Sequence, residues 1–135
     1  MLILNGKIVT MEETGYANGF VKITGNKITE IGSMEEYFEK SNTYKNEDEI
    51  LDVQGAWVMP GIIEAHAHIG ITEEKWGLIG DDCNESTNPI TPTLRAIDAV
   101  NPMDPAFHDA IAAGITSVMT GPGSSNVVGG QFVFM

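Results

Sequence analysis

The residues best suited to chemistry in this chain are His66 and His68, separated by Ala67. On a β-strand, side chains two apart point to one face, with Cα atoms roughly 6.5–7 Å apart. Two imidazoles at that spacing can converge on one metal ion through bonds of about 2.0–2.1 Å, whereas a helix would splay them. As a bare pair the pattern is weakly specific, and many such histidines are chance neighbours. The apolar residues from Ile62 to Ile69 and the glycine-rich stretch that follows shift the reading toward metal binding. Glu64 shares the parity of both histidines, so it either points inward below a metal or accepts a hydrogen bond.

Two runs of elements must position that pair. Before Pro60-Gly61 the chain reads as β-structure. Leu2-Ile3-Leu4 and Lys7-Ile8-Val9 flank Asn5-Gly6, the dipeptide best suited to a two-residue hairpin turn. A second hairpin is expected around Gly25-Asn26, with a bulge or early strand end where Ile28 and Ile31 differ in parity. Ser33-Met34-Glu35-Glu36 matches a capping box and opens a helix to about Lys40. Residues 41–49 read as a polar loop, and two strands are expected around Gln54-Gly55. After Pro60 the order is strand, long loop, helix, strand, loop, strand, which suggests parallel pairing. Residues 70–102 form the long loop, with a helical turn or two within 93–100. Asp104-Pro105 supplies an N-cap and a first-turn proline, Phe107, Ala110 and Ile111 share a helix face, and Gly114 supplies the stop.

Composition narrows the function classes. Seven basic residues against nineteen acidic ones leave a net charge of -12, which argues against nucleic acid and anionic membrane partners. Seven of the nineteen acids fall between Glu30 and Glu49 and read as a solvated face. No apolar run approaches the roughly 18 residues of a membrane span, and no basic leader precedes Met1-Leu2-Ile3-Leu4, so a signal peptide is not expected. The single cysteine, Cys83, fits a reducing cytoplasm. Its acidic neighbours Asp81 and Asp82 disfavour a nucleophilic thiolate, so it reads as inert. Trp57 is expected in the core, Trp76 as a substrate wall or partner contact, and His108 on a helix surface. The run from Gly121 to Ser125 lacks the Gly-Lys-Ser/Thr ending of a phosphate loop.

The segment from Ala56 to His68, AWVMPGIIEAHAH, resembles the stretch joining the small β-domain to the first barrel strand in the amidohydrolase superfamily. Residues 2–32 are similar to that family's opening. Residues 91–102, together with Ala113-Gly114-Ile115-Thr116 and Gly129-Gly130-Gln131, resemble an imidazolonepropionase-related subgroup.

The resemblance implies an α/β chain in two parts. Residues 1–59 would be a small β-sandwich segment, and residues 60–135 the first βα units of an incomplete TIM-like (β/α)8 barrel. It implies a divalent metal, most often zinc, activating water for attack on a carbon–nitrogen bond of a small-molecule substrate such as a cyclic amide or imide. His66 and His68 would be metal ligands at the barrel mouth. The loop from Gly121 to Gly130 would shape the substrate pocket, with Gly121, Ser124 and Asn126 as candidates. A homo-oligomer is expected. A barrel takes roughly 250 residues, far more than follow residue 59. The later ligands and general base of the family have no counterparts here, so the chain reads as an N-terminal piece with an empty or weakly held metal. The competing reading is a non-catalytic fragment that oligomerises or binds a partner through its β-domain.

Overall fold

Leu2 and Phe20 are fully buried, and the first part of the chain is built around them. The computed structural model describes residues 1–45, 49–74 and 76–135. It divides into two units, Met1–Pro60 and Gly61–Met135.

The first unit is one mixed sheet with a helix laid on it. Its strands are β1 (Leu2–Ile8), β2 (Tyr16–Thr24), β3 (Lys27–Ser33), β4 (Ile50–Asp52) and β5 (Trp57–Val58), in the order β3-β2-β1-β4, with β5 also pairing with β1. The β2–β3 hairpin turns at Gly25-Asn26, and its register slips between Lys22↔Glu30 and Ile23↔Ile28, the bulge expected there. Helix α1 (Met34–Glu39) starts with a complete capping box: Glu36 N donates to Ser33 Oγ at 3.2 Å, and Ser33 N donates to Glu36 Oε2 at 2.7 Å. Among the described residues of this unit there is no second sheet to complete a sandwich.

Two expectations for this unit fail. Asn5-Gly6 is no hairpin turn; β1 runs through it without reversing. Asn5 takes φ 59, but Gly6 is not in the left-handed region, and a Cβ on Gly6 would come within 2.9 Å of Ile8 and Val58. The glycine therefore serves close packing, and the kink is a bulge against β2. The two strands expected around Gln54-Gly55 form, as β4 and β5. Both run parallel to β1, joined by a turn with φ 51 and 84. Trp57 is not core: it lies on this short edge strand, 70% exposed, with Lys7 Nζ 5.5 Å from its ring centroid.

The expected polar loop at 41–49 contains a 3-10 turn, Ser41–Tyr44, that carries Tyr44 into the core. Its ring stacks on Tyr37 at 5.3 Å and packs on Phe20 at 5.7 Å. Its hydroxyl donates to Glu30 Oε2 at 2.8 Å, while Lys40 Nζ donates to Oε1 at 2.8 Å. These two donors, Lys40 first, hold the Glu30 carboxyl below its usual range, and burial followed by the Glu30 contact pushes the Tyr44 phenol up. Part of the acidic stretch is thus structural. The acids at 47 and 48 lie outside the described residues.

The second unit begins with β6 (Ile62–Ala67), followed by a long connection, α2 (Ala96–Ala99), α3 (Pro105–Ala112), β7 (Ile115–Thr120) and β8 (Val133–Phe134). Strands β6 and β7 are parallel and joined through α3, as the alternation predicts. Strand β8 departs from it, pairing antiparallel with β7 through Met119↔Phe134 and Thr120↔Val133. The long connection is not featureless. It holds a 3-10 turn at Gly77–Gly80 and a Thr72↔Asp81 bridge, and it buries Ile71, Cys83 and Ala96 together, which fits an inert thiol.

Helix α3 starts as expected, with Asp104 Oδ1 accepting from Ala106 N at 3.1 Å and Pro105 in the first turn. Asp104 Oδ2 is buried without a partner among the described residues. The apolar face of α3 is covered only in part: Phe107 packs over Gly70, but Ile111 is 68% exposed. No helix among the described residues is long and apolar enough to cross a membrane.

Candidate metal centre

Strand β6 hydrogen-bonds to β7 as far as Ala67, and His68 is the first residue beyond it. The register advances by three residues on β6, Glu64 to Ala67, against two on β7, Val118 to Thr120. This extra residue breaks strict alternation next to His66, and bulges of this kind re-aim side chains. Parity therefore does not carry Glu64 along with the histidines. Its Oε1 accepts from the backbone N–H of His66 at 3.0 Å, the second of the two roles open to it.

The imidazoles of His66 and His68 lie side by side, with ring centroids 5.2 Å apart and planes at 86°. His66 is exposed and His68 half-buried. The Nδ1 of His68 is 2.6 Å from the carbonyl oxygen of Gly121. A carbonyl only accepts, so Nδ1 carries the proton and donates, which leaves the Nε2 lone pair of a neutral ring available to a metal. Metal-ligating histidines commonly have this arrangement, one nitrogen oriented by a carbonyl and the other facing the ion.

Both ends of the Gly121 peptide serve this segment. Its N–H donates to Ala67 O at 3.1 Å, and the adjacent Thr120 hydroxyl, fully buried, donates to Ile69 O at 2.9 Å. The ring of Phe132 lies against Gly121 and 5.3 Å from the ring of His66. No local pattern in the sequence points to Phe132, because it meets the histidines only through the β7–β8 return.

The pair fits a contribution of two nitrogen donors to zinc, which takes histidine, cysteine and carboxylate ligands. Among the described residues no group of three or more His, Cys, Asp or Glu side chains could hold a metal. His108 is on the surface of α3, 3.5 Å from Asp109 Oδ1.

Of the expected pocket residues, only Gly121 touches the pair. Ser124 is exposed. Asn126 commits its amide to the long loop, donating from Nδ2 to Glu85 O at 2.8 Å and to Asn88 O at 3.3 Å. Trp76 is 63% exposed.

A cavity of about 230 Å³ in the second unit is lined by Ile71, Cys83, Leu94, Ala96, Pro122 and Gly129 among others. Acids stand around it, but most are engaged. Asp98 takes a bidentate contact from Arg95 at 2.7 and 2.8 Å, which holds it below the usual carboxylate range. The Thr87 hydroxyl and amide do the same for Glu85. Neither His66 nor His68 lines this cavity.

No family model matches the chain. A solved amidohydrolase from Thermotoga maritima matches 99% of the chain with a TM-score of 0.84 at 37% identity. The "Amidohydrolase tasK" of Hapsidospora irregularis is 40% identical over 83 residues, 61% of this chain. These matches support an N-terminal segment of the amidohydrolase superfamily. The chain's resemblance to the N-terminal part of such proteins, read from the Pro-Gly strand and its surroundings, is upheld. A "5'-deoxyadenosine deaminase" of Methanosarcina acetivorans is 36% identical over 74 residues, 53% of this chain. The superfamily segment described here spans 33% of the solved relative, 8% of the first curated one and 15% of the second.

Proposed function

We propose that this chain supplies His66 and His68 as metal ligands of a hydrolase that cleaves a carbon–nitrogen bond in a small molecule. The observation that carries the reading is the anchored tautomer of His68. Its Nδ1–H is held by Gly121 O at 2.6 Å while its ring stands edge-on to His66. A structural histidine needs one satisfied nitrogen; a second imidazole close by, with one ring nitrogen left free, is what a metal site adds. A divalent ion, zinc by the character of these donors, would supply Lewis acidity to the substrate or to water. The chain's own part is to hold two neutral imidazoles in place, and the β6–β7 pairing and the Gly121 peptide do that.

The parallel β6-α3-β7 unit supports placement at the start of a (β/α)8 barrel, with the pair at the C-terminal end of β6 where barrel sites lie. Residues 1–59 would then belong to the small β-sandwich of that architecture. Residues 91–102 support the imidazolonepropionase-related subgroup and thus a cyclic amide or imide as substrate. The relative named as a 5'-deoxyadenosine deaminase favours a second substrate class, an amino-substituted purine nucleoside. One cysteine and a charge of -12 support a reducing cytoplasmic location. Exposed Ile62, Ile63 and Phe134 on β6 and β8 support burial against further protein, a homo-oligomer in this reading. Nothing observed favours the non-catalytic reading.

Zinc content and turnover of the full-length protein that carries this segment test the proposal. Cyclic amides and imides would be assayed beside 5'-deoxyadenosine. Chelator-sensitive turnover and bound zinc should both be lost in the His66→Ala/His68→Ala variant. A variant that keeps its zinc and its activity refutes the assignment.

A further inference from the structure

We infer that Phe132 is a positioning residue for the imidazole pair, acting on both rings at once. The inference deepens the metal-site reading and uses a residue that no sequence pattern marks. The ring of Phe132 packs against His66 with centroids 5.3 Å apart at 48°. It also occupies the space where a side chain on Gly121 would sit, since a Cβ built there would overlap three atoms of the Phe132 ring. Gly121 is buried, and its carbonyl receives the Nδ1–H of His68. One side chain therefore braces His66 directly and His68 through the Gly121 peptide.

The backbone on either side of Phe132 is fixed, which gives the brace something to push against. Gln131 N donates to Leu94 O at 2.9 Å, and Gln131 O accepts from Ala96 N at 2.9 Å. Val133 pairs with Thr120, the residue before Gly121. The ring is thus hung between two pinned positions, and its 38% exposure leaves part of it uncovered beside the histidines. Glycine at 121 fits the same picture: its φ does not lie in the left-handed region, so the absent side chain makes room for the ring and not for a turn. Supporting contacts of this kind, one layer behind the ligands, hold a site within the narrow geometry that metal binding needs.

The test reads the histidines before it reads any activity. In metal-free full-length protein, nitrogen-15 NMR of the imidazoles should show His68 as the Nδ1–H tautomer. In Phe132→Ala that signal should move toward a mixture with the Nε2–H form, and the dissociation constant for Zn2+ alone should rise by about ten- to hundredfold. Phe132→Leu keeps apolar bulk where Phe132→Ala could unfold, and should give an intermediate loss. Phe132→Tyr should restore the parent tautomer and affinity. Gly121→Ala, which displaces the ring without removing it, should reproduce the tautomer mixture. An unchanged His68 tautomer in folded Phe132→Leu and Gly121→Ala overturns the inference. The hydrolase reading fails separately, through Zn2+ affinity that His66→Ala leaves unchanged, and the tautomer measurement decides the role of Phe132 in either case.

Discussion

Gly61, the second residue of the Pro60-Gly61 pair, faces Thr116 across the β6–β7 pairing, and replacing it with alanine is a stringent test of how β6 is seated. A Cβ at Gly61 would overlap the Oγ1, Cγ2 and Cβ atoms of Thr116. The strand cannot back away freely, because Ile62 N donates to Gly114 O at 2.9 Å and Ile62 pairs with Ile115. Overpacking against a fixed neighbour costs about 1–3 kcal/mol, and losing the Ile62 bond adds ~1 kcal/mol. We expect Gly61→Ala to destabilise the second unit by about 2–4 kcal/mol. For a unit of this size that lowers Tm by about 8–32 °C. Thr116 is exposed, so Thr116→Gly alone should cost only about 1 kcal/mol. Combined with Gly61→Ala it should recover part of the loss, giving a coupling of opposite sign to the sum of the singles. Urea titrations of the four proteins, followed by circular dichroism, measure this directly. A Gly61→Ala variant within ~0.5 kcal/mol of the parent, or a double variant no more stable than the added singles, would refute the steric account.

Three shorter predictions concern other contacts. The Glu30 carboxyl is held low by Lys40 and then Tyr44, so its contribution is present above the ordinary glutamate value of about 4.3 and is lost as pH falls through the lower folded value. Glu30→Gln should flatten the acid limb of stability against pH, and superimposable limbs would count against the interaction. Asp104→Ala removes the cap of α3 and should cost about 1 kcal/mol, whereas Asp104→Ser keeps an acceptor for Ala106 N and removes the unpartnered buried Oδ2, so thermal melts should rank Ser above Ala. Asn126→Ala should lower stability by about 1 kcal/mol for each loop bond it breaks; a loss of kcat/KM at unchanged stability would instead make Asn126 a substrate contact.

Local chemistry was legible where a few adjacent residues decide the outcome. The Ser33 box, the Gly25-Asn26 turn with its bulge, the Asp104-Pro105 start and the Gly114 stop with φ 89 all depend on neighbours within about one turn of chain. Asn5-Gly6 misled because its glycine answers a distant constraint, the side chains of Val53 and Val58, and not a turn. Tyr44 was hidden in a polar stretch for the same reason: its burial comes from Phe20, Tyr37 and Glu30, all from other elements. The antiparallel return of β8 was equally invisible, since strand direction depends on how the glycine-rich connection at 121–132 folds back. Of the candidate site, the histidine pair stood out by spacing. Gly121 stood out only as part of a loop, and Phe132 not at all.

The division of labour at the pair follows from what each half must do. A tetrahedral zinc shell needs four donors, and a catalytic one usually takes three from protein and one from water. The described residues bring two nitrogens together and fix the tautomer of one of them, but gather no third His, Cys, Asp or Glu. In the proposed metal site orientation would be built locally, through Gly121 and the β6–β7 ladder, and most of the affinity would come from donors outside this group. Preorganising two ligands lowers the ordering cost that any later ligand has to overcome, since the rings are already edge-on at 5.2 Å. In the proposed site the metal would be gained only when both contributions meet, and the rigidity of the histidine pair would set how tightly the remaining donors bind.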